Sequence, residues 1–286
     1  MIRVGFIDYF LSEWHANTYP TLFSEEWSGC GYGEFKVAYA WAEVEISPYD
    51  GVSTDEWCAK QGVTRAASIE EVCRLSDVIV ILSPDNPERH LDYAKRVFPF
   101  GKPVYMDKTF APNSEIAAEI VALAAHYNTP FFSSSALRFT TELAPYRACE
   151  KGADGMMCYG PNGADIYAIH LVEMIAVVMK QKPLRVMGLT GGKNGTAVIE
   201  YEDGRRALYC QNNAVGFGFA ATVEKDGENC YLPIKSDMFR LFVREMLAFF
   251  AEGKCPVTPE ETLSVMRLLD AVKAALKTPD TWIPVK

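Results

Sequence analysis

The stretch GKPVYMDKTFAP sets Asp107 and Lys108 directly after a short apolar run. A lysine at the end of a buried strand sits among apolar neighbours, where lost hydration lowers its pKa and readies it to move a proton. The competing reading is a structural lysine paired with Asp107 or with a surface carboxylate. In ADIYAIHLVEMIAVVM, Tyr167, His170 and Glu173 stand at i, i+3 and i+6 of a helical run that is otherwise almost wholly apolar, so they share one stripe. Histidine titrates near neutrality and a carboxylate can fix its tautomer, so this trio can act as a proton-transfer set. A narrow solvent-facing stripe is the alternative, although such stripes more often carry lysine and glutamate.

The first half of the chain alternates strand and helix. Apolar runs occur at IRVGFI, FKVAYAWA, DVIVIL, PVYMD and PFFSSSA, with a weaker one at VTRAA. Between them, TDEWCAKQG, SIEEVCRL and NSEIAAEIVALAAHY read as capped helices. Strands that are apolar on both faces and alternate with helices imply a parallel sheet covered on both sides. The expected domain spans residues 1–133. From 134 to 286 the rhythm changes: after ALRFTTELAPYRACEKG comes the strand GMMCYG, then the apolar helix, then LRVMGL, TAVIEYEDG, RRALYCQNN, FAATVEKDG and NCYLPI. The Asp-Gly of EYEDGRRALY marks a hairpin. Helices SDMFRLFVREMLAFFAEG, capped by Ser236, and TPEETLSVMRLLDAVKAALK, capped by Thr258 with Glu261 as capping-box partner, close the chain. A second α/β domain follows, with an open, mostly antiparallel sheet and helices on one side.

Ligands of open parallel sheets bind outside the carboxyl ends of the strands, near the reversal of strand order. That rule selects Asp8 to Glu13, Glu43, Ser83-Pro84-Asp85-Asn86, and Asp107 to Thr109. Gly29, Gly31 and Gly33 in WSGCGYGEF resemble a phosphate loop but precede a strand, so they read as an ordinary loop. TGGKNGT lies between two strands of the second half and reads as a turn.

Composition narrows the partners. Half of the 286 residues are apolar, enough for a large core, and the net charge is −9 without a basic stripe, which argues against a nucleic-acid partner. No apolar run approaches the roughly eighteen residues of a membrane span, and the N-terminus opens on a strand, so the expected location is cytoplasmic. The eight cysteines form no CxxC pair and the four histidines no ligand spacing; reduced thiols and no metal are expected.

With these residues in place, the chain resembles the glucose-fructose oxidoreductase / inositol dehydrogenase (Gfo/Idh/MocA) family over nearly its whole length. AKQGVTRAASIEEVCRLSDVIVILSPDNPERHLDYAKRVFPFGKPVYMDKTFA is similar to the stretch running from the third strand through the family's EKP-like motif, which reads DKP in one branch. IYAIHLVEMIAVVM resembles the helix carrying the family's active-site histidine, and PVTPEETLSVMRLLDAVKAAL its closing helix. The resemblance implies a Rossmann domain followed by an α/β substrate domain whose free sheet face often mediates homo-oligomers. It also implies NAD or NADP as cofactor, and hydride transfer at a hydroxyl-bearing carbon of a sugar, polyol or related small molecule. Lys108 would orient the substrate hydroxyl and help move its proton, His170 would act as acid/base, and Tyr167 and Glu173 would line or support the pocket. Asp8, Phe10, Ser12, Glu43, Ser83, Pro84, Asn86 and Asp107 would border the cofactor, with Ser12 as a helix cap able to contact a phosphate and Glu43 accepting from a ribose hydroxyl.

Three positions depart from the family pattern. IDYFLSEW replaces the glycine fingerprint, Thr109 stands in place of proline, and Ile166 in place of the aspartate four residues before the histidine. Fingerprint glycines allow a tight turn and a close approach of pyrophosphate, whereas Phe10 is bulky and Asp8 and Glu13 are acidic. Two further readings therefore stand beside the dehydrogenase: a relative that has lost the cofactor and binds a small ligand or partner, and a cofactor-independent lyase or isomerase using Lys108 and His170.

Overall fold

The computed structural model describes residues 1–192, 194–212 and 218–286. Lys193 of TGGKNGT and Asn213 of RRALYCQNN lie outside the described residues. Two compact units are present: Met1–Ser134 with Phe239–Thr262, and Ser135–Met238 with Leu263–Lys286.

In the first unit the elements run β1 (Ile2–Asp8), α1 (Trp14–Cys30), β2 (Phe35–Ala42), α2 (Thr54–Gln61), β3 (Thr64–Arg65), α3 (Ile69–Leu75), β4 (Val78–Ile81), α4 (His90–Val97), β5 (Val104–Met106), α5 (Ser114–Tyr127) and β6 (Phe131–Phe132). The strands form one sheet in the order β3-β2-β1-β4-β5-β6, every pair parallel. This is the doubly wound order of dinucleotide-binding folds, reversing between β1 and β4. Burial follows from covering both faces: all of β4 is inaccessible, as expected of VIVI flanked by helices on each side. Gly5 is required by packing, because a Cβ there would lie 2.5 Å from Val72 Cγ1 and 2.4 Å from Ser76 Oγ, where α3 meets β1.

Local signals explain most helix ends. Ser53 caps α2 in a full capping box with Glu56, Ser68 caps α3, and Asn113 caps α5. The expected loop at WSGCGYGEF is confined to residues 31–34: Trp27 to Cys30 form the last turn of α1, which stops at Gly31, whose φ of 74° suits a residue without a Cβ. From the far end of the chain, α8 (Met238–Glu252) returns to this unit: Phe242 meets Tyr19, Tyr105 and Phe132, and Phe250 meets Phe35.

The second unit contains a short α6 (Ala144–Arg147), β7 (Gly155–Gly160), α7 (Ala164–Met179), β8 (Pro183–Thr190), β9 (Thr196–Tyr201), β10 (Arg206–Gln211), β11 (Ala220–Lys225), β12 (Glu228–Pro233), most of α9 (Pro259–Lys277) and β13 (Trp282–Pro284). The sheet order is β12-β11-β7-β10-β9-β8-β13, and only β7 and β10 pair in parallel. The Asp-Gly hairpin joins β9 to β10 with Gly204 at φ 85°. The last strand, β13, is too short and too near the terminus to have stood out in the sequence. Thr258 and Glu261 exchange the expected capping-box bonds. Ser236 instead donates its hydroxyl to Glu142, so it is committed to a loop contact ahead of α8.

Candidate functional site

The ends of β1, β4 and β5 bring together buried acids. Asp8, at the end of β1, accepts at Oδ1 from the N–H groups of Tyr9 (2.7 Å) and Ser83 (2.9 Å). Asp107 follows β5 and accepts at Oδ1 from the Tyr105 hydroxyl (2.6 Å) and the Lys108 N–H (2.9 Å). Each acid is 1% exposed, and in each Oδ2 has no hydrogen-bond partner among the described residues. Their pKa values are pushed in opposite directions. Burial, reinforced by the charge of Glu13, pushes Asp8 well above the usual carboxylate range. Burial also acts on Asp107, but the nearby charges of His15 and Lys108 outweigh it and hold that acid below its ordinary value.

The cap of α1 is Glu13, not Ser12. Glu13 Oε2 accepts from the His15 N–H at 2.8 Å, and Oε1 accepts from the Ala16 N–H. Ser12 donates its hydroxyl to Asp50 at 2.7 Å. Phe10 is buried, its ring edge-on to Tyr49 at 5.0 Å. His15, which sequence reading passed over, lies 3.0 Å from Glu13 Oε2 and 3.8 Å from Asp107 Oδ2 through Nδ1. Burial opposes its protonation, yet Asp107 and Glu13 raise its pKa above the ordinary value. Its one signal was a place in the first turn of a helix that begins beside acids.

Lys108 is half-buried, and its Nζ donates to the Pro84 carbonyl at 3.4 Å, joining the β4 and β5 ends. The Lys108–Thr109 peptide is cis. Ser83 has φ 66° and donates weakly to Asn86 O at 3.5 Å, while Asn86 Nδ2 donates to Glu88 at 3.1 Å. Past β2, Glu43 is gripped by Arg89, whose Nε donates at 2.9 Å and whose Nη2 donates to the other oxygen, and it accepts from Tyr93 Oη at 2.8 Å. Burial raises the Glu43 pKa but these bonds prevail and lower it. A cavity of about 490 Å³ opens here, bordered by Trp41, Glu43, Arg89, Tyr93 and Arg96 among others. Arg96 lies over the Trp41 ring at 5.5 Å.

In the second unit, α7 turns its polar stripe toward the residues after β6, where the run PFFSSSA, read as a strand, stops at Phe132 and Ser135 instead caps a short helical turn over Ala136–Phe139. Ser135 Oγ lies 2.7 Å from His170 Nδ1 and also accepts from the Leu137 N–H at 3.3 Å. Glu173 Oε2 accepts from Arg138 Nε at 2.7 Å, with both side chains almost fully buried, and Glu173 Oε1 accepts from the Ser135 N–H at 3.4 Å. The Tyr167 ring meets His170 edge-on at 5.1 Å, and Phe219 meets it at 5.7 Å. With Ile166 in place of aspartate, Ser135 is a polar partner of His170, while Glu173 braces the segment that carries it. A glutamate inside an apolar helix signals that a cation must be near; nothing in the sequence singled out Arg138.

A doubly wound sheet followed by a mixed-sheet α/β unit is the fold of the Gfo/Idh/MocA dehydrogenases, and solved structures match this chain end to end. Myo-inositol dehydrogenase from Lactobacillus casei, in complex with NAD(H) and myo-inositol, is 10% identical with TM-score 0.80, covering 100% of this chain and 97% of that one. Myo-inositol 2-dehydrogenase from Lactobacillus plantarum is 15% identical with TM-score 0.79, at 100% and 99% coverage. An NAD-binding oxidoreductase from Klebsiella pneumoniae is 12% identical with TM-score 0.77, at 100% and 99% coverage. No protein-family profile matches the chain, and no curated protein matches it in sequence.

The strand ends carry groups that could meet the two extremities of a dinucleotide. The β2 end offers an acid, an aromatic wall and guanidinium groups for an adenosine. The β4 and β5 ends offer Ser83 to Asn86 and Lys108 for a nicotinamide. Asp8 Oδ1 accepts two N–H groups, while its buried Oδ2 has no hydrogen-bond partner among the described residues. In the middle, the α1 amides that would meet pyrophosphate are bonded to Glu13.

Proposed function

We propose that this chain is an NAD(P)-dependent oxidoreductase acting on a hydroxyl of a sugar, polyol or related small molecule. The observation that carries the reading is Lys108, half-buried where β5 ends beside the reversal in strand order and tied to the Ser83–Asn86 turn through Pro84. The fold shared with NAD-binding dehydrogenases supports it. Bound NAD(P) would supply the hydride acceptor. Asp8, Ser83, Pro84, Asn86 and Asp107 would border its nicotinamide half, Glu43 its adenosine ribose, and Phe10 and Ser12 the loop between. Lys108 would orient the substrate hydroxyl and help move its proton, with His170 as the second acid/base group. Ser135 would fix the imidazole orientation, Tyr167 would pack against it, and Glu173 would hold Ser135 in place through Arg138 and the Ser135 N–H.

The test is to incubate the protein with NAD⁺ or NADP⁺ and a panel of inositols, sugars and linear polyols while following reduced-nicotinamide absorbance. Turnover on at least one compound is expected; none on any, with folded protein, removes the reading. One observation favours a second reading, a cofactor-independent acid/base enzyme: Glu13 already holds the hydrogen bonds a pyrophosphate would use. Substrate conversion by nucleotide-stripped protein would select it. We read the protein as cytoplasmic; no helix among the described residues is long and apolar enough to cross a membrane. A homo-oligomer through the second unit's sheet is supported by exposed Met157, Leu184, Leu189 and Tyr231 on its strands.

A further inference from the structure

The first turn of a helix leaves amide N–H groups without intrahelical partners, and their positive end attracts an anion. At α1, which follows the strand beside the sheet's reversal, the anion is the protein's own. Glu13 Oε2 accepts from the His15 N–H at 2.8 Å and lies 3.0 Å from the His15 ring, and Oε1 accepts from the Ala16 N–H. The side chain is only 4% exposed, so it is seated in the fold rather than resting on the surface. Asp8, close enough to feel the charge of Glu13, is 1% exposed and has one oxygen without a hydrogen-bond partner among the described residues, so a polar valence at this loop stays open.

We propose that Glu13 is a built-in stand-in for a nucleotide phosphate: its carboxylate occupies the anion position of α1, and a dinucleotide reaches those amides only by displacing it. The proposal rests on the dinucleotide reading above and names the residue that sets affinity there. Two effects act together. The phosphate must compete for the same N–H groups, and while Glu13 stays it adds a like charge beside the incoming anion. Phosphate affinity in this chain is therefore governed by the side chain at 13 rather than by glycines.

The experiment titrates full-length wild type, Glu13→Ser and Glu13→Gln with NADH, NADPH and adenosine, following protein fluorescence, with thermal melts to confirm folding. Serine keeps a short cap without charge, and glutamine keeps the size without charge. Both variants are expected to bind at least one dinucleotide about tenfold tighter or better, the factor equivalent to about 1.4 kcal/mol, with adenosine affinity unchanged. Wild-type binding with no gain in either folded variant overturns the role of Glu13 and leaves the dinucleotide reading standing. An equal gain for adenosine also overturns it, since that marks a loosened loop rather than relieved competition. No dinucleotide binding by any of the three proteins removes both.

Discussion

The end of β1 and the middle of α7 both bury carboxylates, but they complete them differently. Glu173 meets Arg138 Nε at 2.7 Å and the Ser135 N–H at 3.4 Å, a closed set holding the segment that touches His170. At the strand ends, Asp8 and Asp107 each keep an oxygen without a hydrogen-bond partner among the described residues, although Asp107 Oδ2 lies 3.8 Å from His15 Nδ1, and one acid is held above its ordinary pKa while the other is held below. A fully bonded buried charge belongs to scaffolding, because losing either partner strands the other. Open valences on buried acids belong where another molecule can complete them. The contrast separates residues that hold the chemistry in place from those that would meet a ligand.

The largest expected effect tests the chemical half of that contrast. Lys108→Ala and His170→Ala should each lower turnover by about 10²- to 10⁴-fold with unchanged circular dichroism; unchanged turnover in both would remove the proposed groups. Glu173→Ala should act on the scaffold instead, costing about 3–5 kcal/mol in denaturant unfolding because it breaks a buried ion pair with Arg138. A loss below about 1 kcal/mol would show that the pair is not structural. Ser135→Ala should be milder, with roughly tenfold lower turnover and a displaced limb of the pH–rate profile, since His170 loses the group fixing its tautomer. An identical profile would assign Ser135 to capping Leu137 alone.

The smallest effects compare the two acids by pH. Asp8 has a raised folded pKa, so its contribution to stability is full below the unfolded value of about 4 and is lost as pH rises through the folded value. Asn mimics the neutral acid, so Asp8→Asn should match wild type near pH 4 and become relatively more stable as pH rises. Asp107 has a depressed folded pKa, so its contribution is present above about 4 and is lost as pH falls through the folded value. Asp107→Asn should therefore be less stable than wild type at neutral pH, with the gap closing in acid. Parallel pH curves for the two variants would erase the distinction.

The fold was legible because its signals are local. FKVAYAWA became β2 and ADIYAIHLVEMIAVVM became α7 without a shift of either end, since a strand apolar on both faces and a helix apolar nearly all round leave little choice. The end of α1 was misread because three glycines resemble a loop, whereas only Gly31 takes the left-handed conformation and Gly29 continues the helix. The candidate site was readable where a residue's place follows from a strand end, as Lys108 does after β5, and obscure where it depends on partners remote in sequence. Ser135 reaches His170 across 35 positions and Arg89 reaches Glu43 across 46. Likewise, the sequence warned that IDYFLSEW lacked glycines, but not that Glu13 would turn back to cap its own helix.

The central claim is that these strand ends bind a nicotinamide dinucleotide. An equilibrium titration of wild-type protein with NADH and with NADPH, read by fluorescence, tests it most directly. Saturable binding of at least one is the predicted result; no binding of either at millimolar concentration would contradict it.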